Sequence, residues 1–456
     1  MKAGDLRKKY KKFIYQGFSI KRSRNNLKIS FSFKIDPNIY FSPEITIENI
    51  NRSQINNLDK EIINNLAFHL GLMEIPSYWK ATCSPQILIE AGFLTKEQIH
   101  WWKNLLINGL GQFFYTNKID FASPNFIEIK TTKKATQAFK SFKKGLRQEK
   151  ILVPVGGGKD SIVTLEILKE KRQVNCLALN PTQAAFQVMA IAGYKNPIIA
   201  RREIDKTLLE LNQKGYLNGH TPFSAYIAFL SVTCAIIFNY GKIAVSNERG
   251  ANEENLAFLG KKVNHQYSKS FHFEKVFASY VQKYLAKSVH YFSFLRPLYE
   301  IQICKLFSQY PKYFSCFKSC NKGQKKNIWC GSCPKCIFVF AALYPFLKEA
   351  SLIKIFGQNL FRKKNLWPMV LALIGENNHK PFECVGTKEE TKATFYLGLK
   401  KTKKSLPVIL AKFKEEIIPK HLNLDQLSDK ILNSWNKDHN LPADLEEILK
   451  KRLLES

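Results

Sequence analysis

Two hydrophobic periodicities divide the first third of the chain. Between residues 26 and 50 apolar and polar side chains alternate, as in LKISFSFKI, and a period of two puts every second side chain on one face of a β-strand. Residues 57–115 change to the spacing of amphipathic helices, as in EIINNLAFHLGL and KEQIHWWKNLLINGL. The pattern predicts an N-terminal α+β domain over residues 1–145. The basic stretch KKATQAFKSFKKGLRQEK at 133–150 leads out of it, mainly as loop.

From residue 151 short apolar runs alternate with helical ones. ILVPV precedes a helix over 161–172, VNCLALN precedes a helix over 183–192, and PIIA precedes the apolar run FSAYIAFLSVTCAIIFNY and the strand KIAVS. Strands separated by helices predict βαβ units and a mostly parallel sheet over residues 146–300. Ligands of such sheets sit beyond the C-terminal ends of the strands, and those ends carry GGGKDS, NPT, RREID and SNERGANEEN. The run at 223–240 falls short of the ~20 residues of a membrane span. It also contains Ser224, Ser231, Thr233 and Asn239, so it predicts a buried core helix. Residues 301–456 hold a cysteine cluster, the segment HKPFECVG and a Lys-rich helical tail, with no solenoid-type repeat.

Three glycines after the strand ILVPV let the backbone approach an anion, and the following helix directs free N–H groups and its positive dipole end to the same point. The turn differs from a Walker A loop, which needs Gly-Lys followed at once by Ser or Thr; here Asp160 intervenes. It resembles the PP-loop of the ATP pyrophosphatases, Ser-Gly-Gly-x-Asp-Ser, with Gly156 in place of the Ser. That resemblance implies an α/β fold of the adenine nucleotide alpha hydrolase-like type and cleavage of ATP to AMP and pyrophosphate with Mg²⁺. It assigns ATP to Gly156, Gly157, Gly158, Lys159, Asp160 and Ser161.

Cys320, Cys330, Cys333 and Cys336 follow a C-x9-C-x2-C-x2-C spacing. Four thiolates so placed can close around a structural Zn²⁺; an iron–sulfur cluster and four free thiols are the alternatives. Cys316 is a spare neighbour. The same spacing occurs in the PP-loop enzymes that make 7-cyano-7-deazaguanine, which raises a synthase of that type as a rival function.

The chain has 456 residues, is 45% hydrophobic and carries a net charge of +33. Its composition belongs to a folded protein, and its charge raises nucleic acid as a partner. The excess consists of 58 Lys against 12 Arg, however, and base and phosphate readout leans on Arg forks. No stable nucleic-acid partner is expected, although an RNA-modifying enzyme remains a third reading. No apolar signal segment follows the basic N-terminus. Cytoplasmic placement, with reduced thiols, is therefore the expectation.

Seven blocks narrow the choice: VPVGGGKDS, LNGHTP at 217–222, SNERGANEEN, NHQYSKS at 264–270, YFSFLRPLYE at 291–300, WCGSCPKCIFVF and HKPFECVG at 379–386. Together with SYWKA at 77–81 they resemble the UDP-N-acetylmuramoyl-L-alanyl-L-glutamate epimerases of peptidoglycan synthesis. This implies ATP-dependent inversion of the terminal L-glutamate of a UDP-linked muramoyl dipeptide. Within these blocks Glu248, His265, His379, Glu383 and Cys384 are candidate proton carriers. Asn247, Arg249, Asn264 and Arg296 are candidate substrate ligands. Each has a plainer alternative: Glu248 and Arg249 as an ion pair, His265 as a core histidine, Cys384 as an inert thiol.

Overall fold

The computed structural model describes the whole chain except residues 24, 52, 53, 55–57, 133–136, 171, 378 and 404, and the side chain of Lys325. The strands are β1 (Lys12–Arg22), β2 (Leu27–Ile35), β3 (Ile39–Phe41), β4 (Glu44–Ile47), β5 (Gln86–Ile89), β6 (Glu128–Thr131), β7 (Lys150–Pro154), β8 (Gln173–Leu179), β9 (Ile198–Glu203), β10 (Lys242–Val245), β11 (Leu256–Phe258), β12 (Lys261–Val263) and β13 (His290–Ser293). Among the described residues eleven of them form one sheet, in the order β13-β10-β7-β8-β9-β4-β2-β1-β5-β6 with β3 beside β2. The other two form a small hairpin.

The five strands from β13 to β9 are all parallel. Alternate side chains on them enter two different cores: Leu152, Leu177 and Ile243 on one face, Ile151, Val153, Ala178 and Ala244 on the other. Burial on both faces explains the unbroken apolar stretches ILV of β7, CLAL of β8, IIA of β9 and IAV of β10. The first face is covered by the helices Phe223–Phe238 and Phe271–Tyr284, the second by the helices Lys159–Lys169 and Pro334–Leu343 and the rest of the C-terminal region. The run at 223–240 is thus a core helix. Among the described residues no helix is long and apolar enough to cross a membrane.

The N-terminal α+β region and the parallel region share this sheet. Strand β4 pairs antiparallel with β9, from Glu44 opposite Glu203 to Ile47 opposite Ala200. The helix Lys60–Trp79 lies on the helix Phe223–Phe238 across the same junction. At that junction Arg202 makes a two-pronged ion pair with the fully buried Glu74, Nε to Oε1 at 2.7 Å and Nη2 to Oε2 at 2.5 Å, and its guanidinium lies 4.9 Å from the Tyr226 ring centre.

Candidate active site

The glycine turn leaves β7 at Pro154 and enters the helix Lys159–Lys169, whose N-cap, Gly158, offers no side-chain cap. The N-cap thus supplies no side-chain acceptor to the first N–H groups of the helix, which leaves them to face a ligand. Gly157 has φ +87°, and a Cβ there would come within 2.7 Å of the Ala185 nitrogen. Only glycine combines that backbone with that approach. The Ser161 hydroxyl donates to Gly158 O at 2.9 Å and closes the turn.

A cavity of about 320 Å³ opens over the turn, bounded by Gly156, Gly158, Asp160 and Ser161 on one side and by Ser246 and Asn247 at the end of β10. Lys269, Lys335 and Cys384 close another side. A second cavity of about 190 Å³ adjoins it through Pro154, Gly156, Ile227 and Gln324, with apolar walls at Leu177, Leu179 and Phe223 and polar groups at Asn180 and Thr182.

Charge is arranged in a chain behind the turn. Lys159 is 1% exposed and turns inward, donating to Asp160 Oδ1 and to Glu300 Oε2. The other oxygen of Glu300 lies 3.8 Å from Lys335 Nζ, which in turn donates to the Cys384 carbonyl. Burial alone would raise the Asp160 carboxyl, but Lys159 and Lys335 hold it below the usual carboxylate range. Lys269 Nζ donates to Cys384 Sγ at 3.2 Å. Burial pulls the Lys269 ammonium down, yet the neighbouring Cys384, Asp160 and Glu248 outweigh it and keep it above its ordinary value.

The cysteine knuckle is part of the same wall. The sulfurs of Cys320, Cys330, Cys333 and Cys336 all lie within 4.8 Å of one another. Individual separations are 3.8 Å for Cys320 to Cys333, 3.7 Å for Cys330 to Cys336 and 3.4 Å for Cys333 to Cys336. A tetrahedron of ~2.3 Å Zn–S bonds has edges of about 3.8 Å, so this donor set fits one such ion. Lys318, Ser319, Asn321 and Gln324 around the knuckle face the cavity, and Lys318 N–H donates to Gly157 O at 3.0 Å.

Of the five nominated proton carriers, Cys384 lines this cavity. Glu248 is buried outside its wall; one oxygen accepts from Gly250 N–H, and burial together with Glu300 pushes the carboxyl up to about 7. His265 Nδ1 pairs with Gln112 Oε1 at 2.5 Å, and its ring centre is 4.4 Å from that of His220; burial and Lys269 push it down to about 4. His379 is exposed beside Tyr115 and Phe382. Glu383 accepts from Asn321 Nδ2 at 2.7 Å, and burial raises its carboxyl.

Among the nominated substrate ligands, Asn247 lines the cavity and donates to Ser293 Oγ at 3.1 Å. Arg249 lies over Tyr299, 4.3 Å from the ring centre, bonds Ser434 Oγ at 2.6 Å, and lines a different cleft with Asn252 and Lys388. Asn264 shapes its own loop through Ala251 O and Gln266 N. Arg296 is 0% exposed and donates to Glu248 O, Lys269 O, Glu274 and Ser293, so it organises the loops behind the cavity. Sequence reasoning did not nominate Lys269, Glu300, Ser319 or Lys335, although three of them stand in quoted blocks: NHQYSKS, YFSFLRPLYE and WCGSCPKCIFVF.

Comparison with known proteins places the chain in a family. Residues 5–294 match the MurL N-terminal domain and residues 313–427 the MurL C-terminal domain. A UDP-N-acetyl-alpha-D-muramoyl-L-alanyl-L-glutamate epimerase of Xanthomonas oryzae pv. oryzae is 31% identical over 83% of this chain and 84% of its own length. Proteins of the same name from Micromonospora sp. and Salinispora tropica are 34% and 32% identical, over 69% and 74% of this chain and 70% and 73% of their own. No solved structure matches significantly. Both domain models follow one another along nearly the whole chain, and the relatives span more than two thirds of it; the chain belongs to the MurL family.

Proposed function

We propose that the protein inverts the terminal L-glutamate of UDP-N-acetylmuramoyl-L-alanyl-L-glutamate to D-glutamate, activating its carboxylate with ATP as an acyl adenylate and releasing AMP and pyrophosphate. The reading of the substrate rests on the names of the relatives. The observation that carries the chemistry is one cavity bounded by a glycine phosphate cradle on one side and a thiol–ammonium pair on another.

A Cα–H next to a carboxylate is a poor acid, because its carbanion forms beside an existing negative charge. Adenylation removes that charge and lets the carbanion delocalise as an enolate. Each 1.36 kcal/mol taken from the barrier is worth about tenfold in rate. The turn at 156–158 and the open end of its helix hold the phosphates, and the adjoining apolar cavity takes the nucleoside. Asp160, on the cavity wall and kept ionised by Lys159 and Lys335, would hold the Mg²⁺ that neutralises phosphate charge. Lys159 supports Asp160 from behind. Cys384 and Lys269 carry the proton at one face of the glutamate Cα: the thiol group exchanges the proton, and the ammonium stabilises charge on the sulfur. A Zn²⁺ on the four cysteines would be structural, fixing the wall that bears Lys318 to Gln324 and Lys335.

The test is incubation of the purified chain with that substrate, ATP and Mg²⁺ in heavy water, followed by hydrolysis and chiral separation of glutamate. D-Glutamate carrying deuterium, formed only with ATP and together with AMP, is expected. AMP release without D-glutamate would sink the epimerase reading, and absence of both products would sink the ATP reading with it.

A further inference from the structure

Among the described residues two side chains on the cavity wall carry buried hydroxyls without a hydrogen-bond partner, Ser246 and Ser319. A buried polar atom without a protein partner calls for one from water, an ion or a ligand, and these two stand on the wall of the cavity that holds the glycine turn. Ser319 has a defined relation to the glycine turn. Its neighbour Lys318 is latched to the turn by the 3.0 Å bond from Lys318 N–H to Gly157 O. Its Cβ lies 3.5 Å from where a Cβ on Gly158 would stand. The turn itself has no side chain at 156, 157 or 158, and the N-cap of the helix is bare. The anion site is therefore built from backbone N–H groups on the turn side, with a hydroxyl approaching from the cysteine knuckle.

We propose that Ser319 completes the nucleotide phosphate site: its hydroxyl donates to a phosphate oxygen held on the glycine turn, so the site is assembled from two segments distant in sequence. This rests on the ATP reading above. It assigns the knuckle a ligand-binding part beyond holding the wall in place. Phosphate affinity should then depend on Ser319, while nucleoside affinity, which resides in the adjoining cavity at Leu177, Leu179 and Phe223, should not.

The experiment is calorimetric titration of the full chain with the non-cleavable α,β-methylene analogue of ATP plus Mg²⁺, and competition of the same analogue by adenosine. Ser319→Ala is expected to weaken analogue binding about tenfold, as loss of a hydrogen bond to a charged group does, with adenosine affinity and melting temperature unchanged. A Cβ at Gly156 would meet nothing within 4 Å, so the double variant Gly156→Ser with Ser319→Ala can carry a hydroxyl from the turn side and is expected to regain most of the loss. Analogue affinity equal in Ser319→Ala and parent would overturn the proposal, and so would an equal loss for adenosine. A parent that binds neither molecule would instead remove the ATP reading itself.

Discussion

At the scale of single residues the proposed mechanism has two tasks, activation and proton transfer, that a variant can uncouple. Cys384 and Lys269 meet at 3.2 Å on the cavity wall and neither belongs to the glycine turn, so Cys384→Ala is expected to leave substrate-dependent exchange of pyrophosphate into ATP in place. Uptake of solvent deuterium at the glutamate Cα should fall by about 10²-fold or more, the range of a lost general acid–base. Deuterium uptake at the parental rate would remove the thiol from the mechanism. A second prediction concerns Glu390, fully buried and accepting from Ile301 N–H at 2.7 Å and Thr387 N–H at 3.1 Å. Burial, with Glu248 and Glu300 nearby, pushes its carboxyl up to about 8 from an ordinary 4.5. Between those values the folded chain binds more protons than the unfolded one, so this group's contribution to stability is lost as pH rises through the window. The loss amounts to about 1.4 kcal/mol for each pH unit crossed inside it. The drop in melting temperature from pH 5.5 to 8.5 should shrink in Glu390→Gln, and a drop as large as the parent's would refute the assignment.

At the scale of elements the cysteine knuckle is the piece whose removal should reach the chemistry. It carries Lys318, Ser319, Asn321, Gln324 and Lys335 on the cavity wall, with its four sulfurs converging at metal-ligand spacing. The purified chain should contain about one zinc per molecule. Stripping it with a chelator should lower the melting temperature and the affinity for ATP together; a chain that is metal-free as isolated and indifferent to the chelator would exclude the site. The knuckle and the glycine turn were legible because each is contiguous: strand, turn and helix residues stand side by side, as do C-x2-C-x2-C. The helices at 159–169, 183–191 and 223–238 and the strands β7 to β10 were legible for the same reason, each lying within one periodic run. Strand β5 was not, because its four residues QILI are too short to outweigh the helical patterns around them, and β6, EIKT, is equally short and borders a stretch read as loop. The partners of Lys159 and Cys384 were hidden too. Glu300 lies 141 residues from Lys159, and Lys269 lies 115 from Cys384, distances that only the folded sheet closes.

At the scale of the whole molecule the consequence lies in the junction between β4 and β9. A sequence break at residue 145 predicted an N-terminal domain followed by a parallel one, yet the hydrogen-bond ladder continues from β9 through β4 into β2 and β1. An exposed β9 edge would present unpaired N–H and C=O groups and invite association, so β4 protects the edge of the parallel region. Side chains tie the junction further. Glu74, on the helix Lys60–Trp79, is fully buried, and Arg202, on β9, neutralises it through two hydrogen bonds. Removing one partner of such a pair leaves an uncompensated buried charge and costs about 3–5 kcal/mol, whereas replacing both with apolar groups of similar volume is often close to neutral. Arg202→Met should therefore destabilise the chain strongly, and Glu74→Leu with Arg202→Met should recover much of the loss. Because the pair joins the two regions of a continuous sheet, the single variant should lower one unfolding transition seen alike by far-ultraviolet circular dichroism and by tryptophan fluorescence. The six tryptophans lie on both sides of the junction, at 79, 101 and 102 and at 329, 367 and 435, so fluorescence samples both regions. Two separated transitions, with the C-terminal one unmoved by Arg202→Met, would show that the regions fold independently despite the shared ladder.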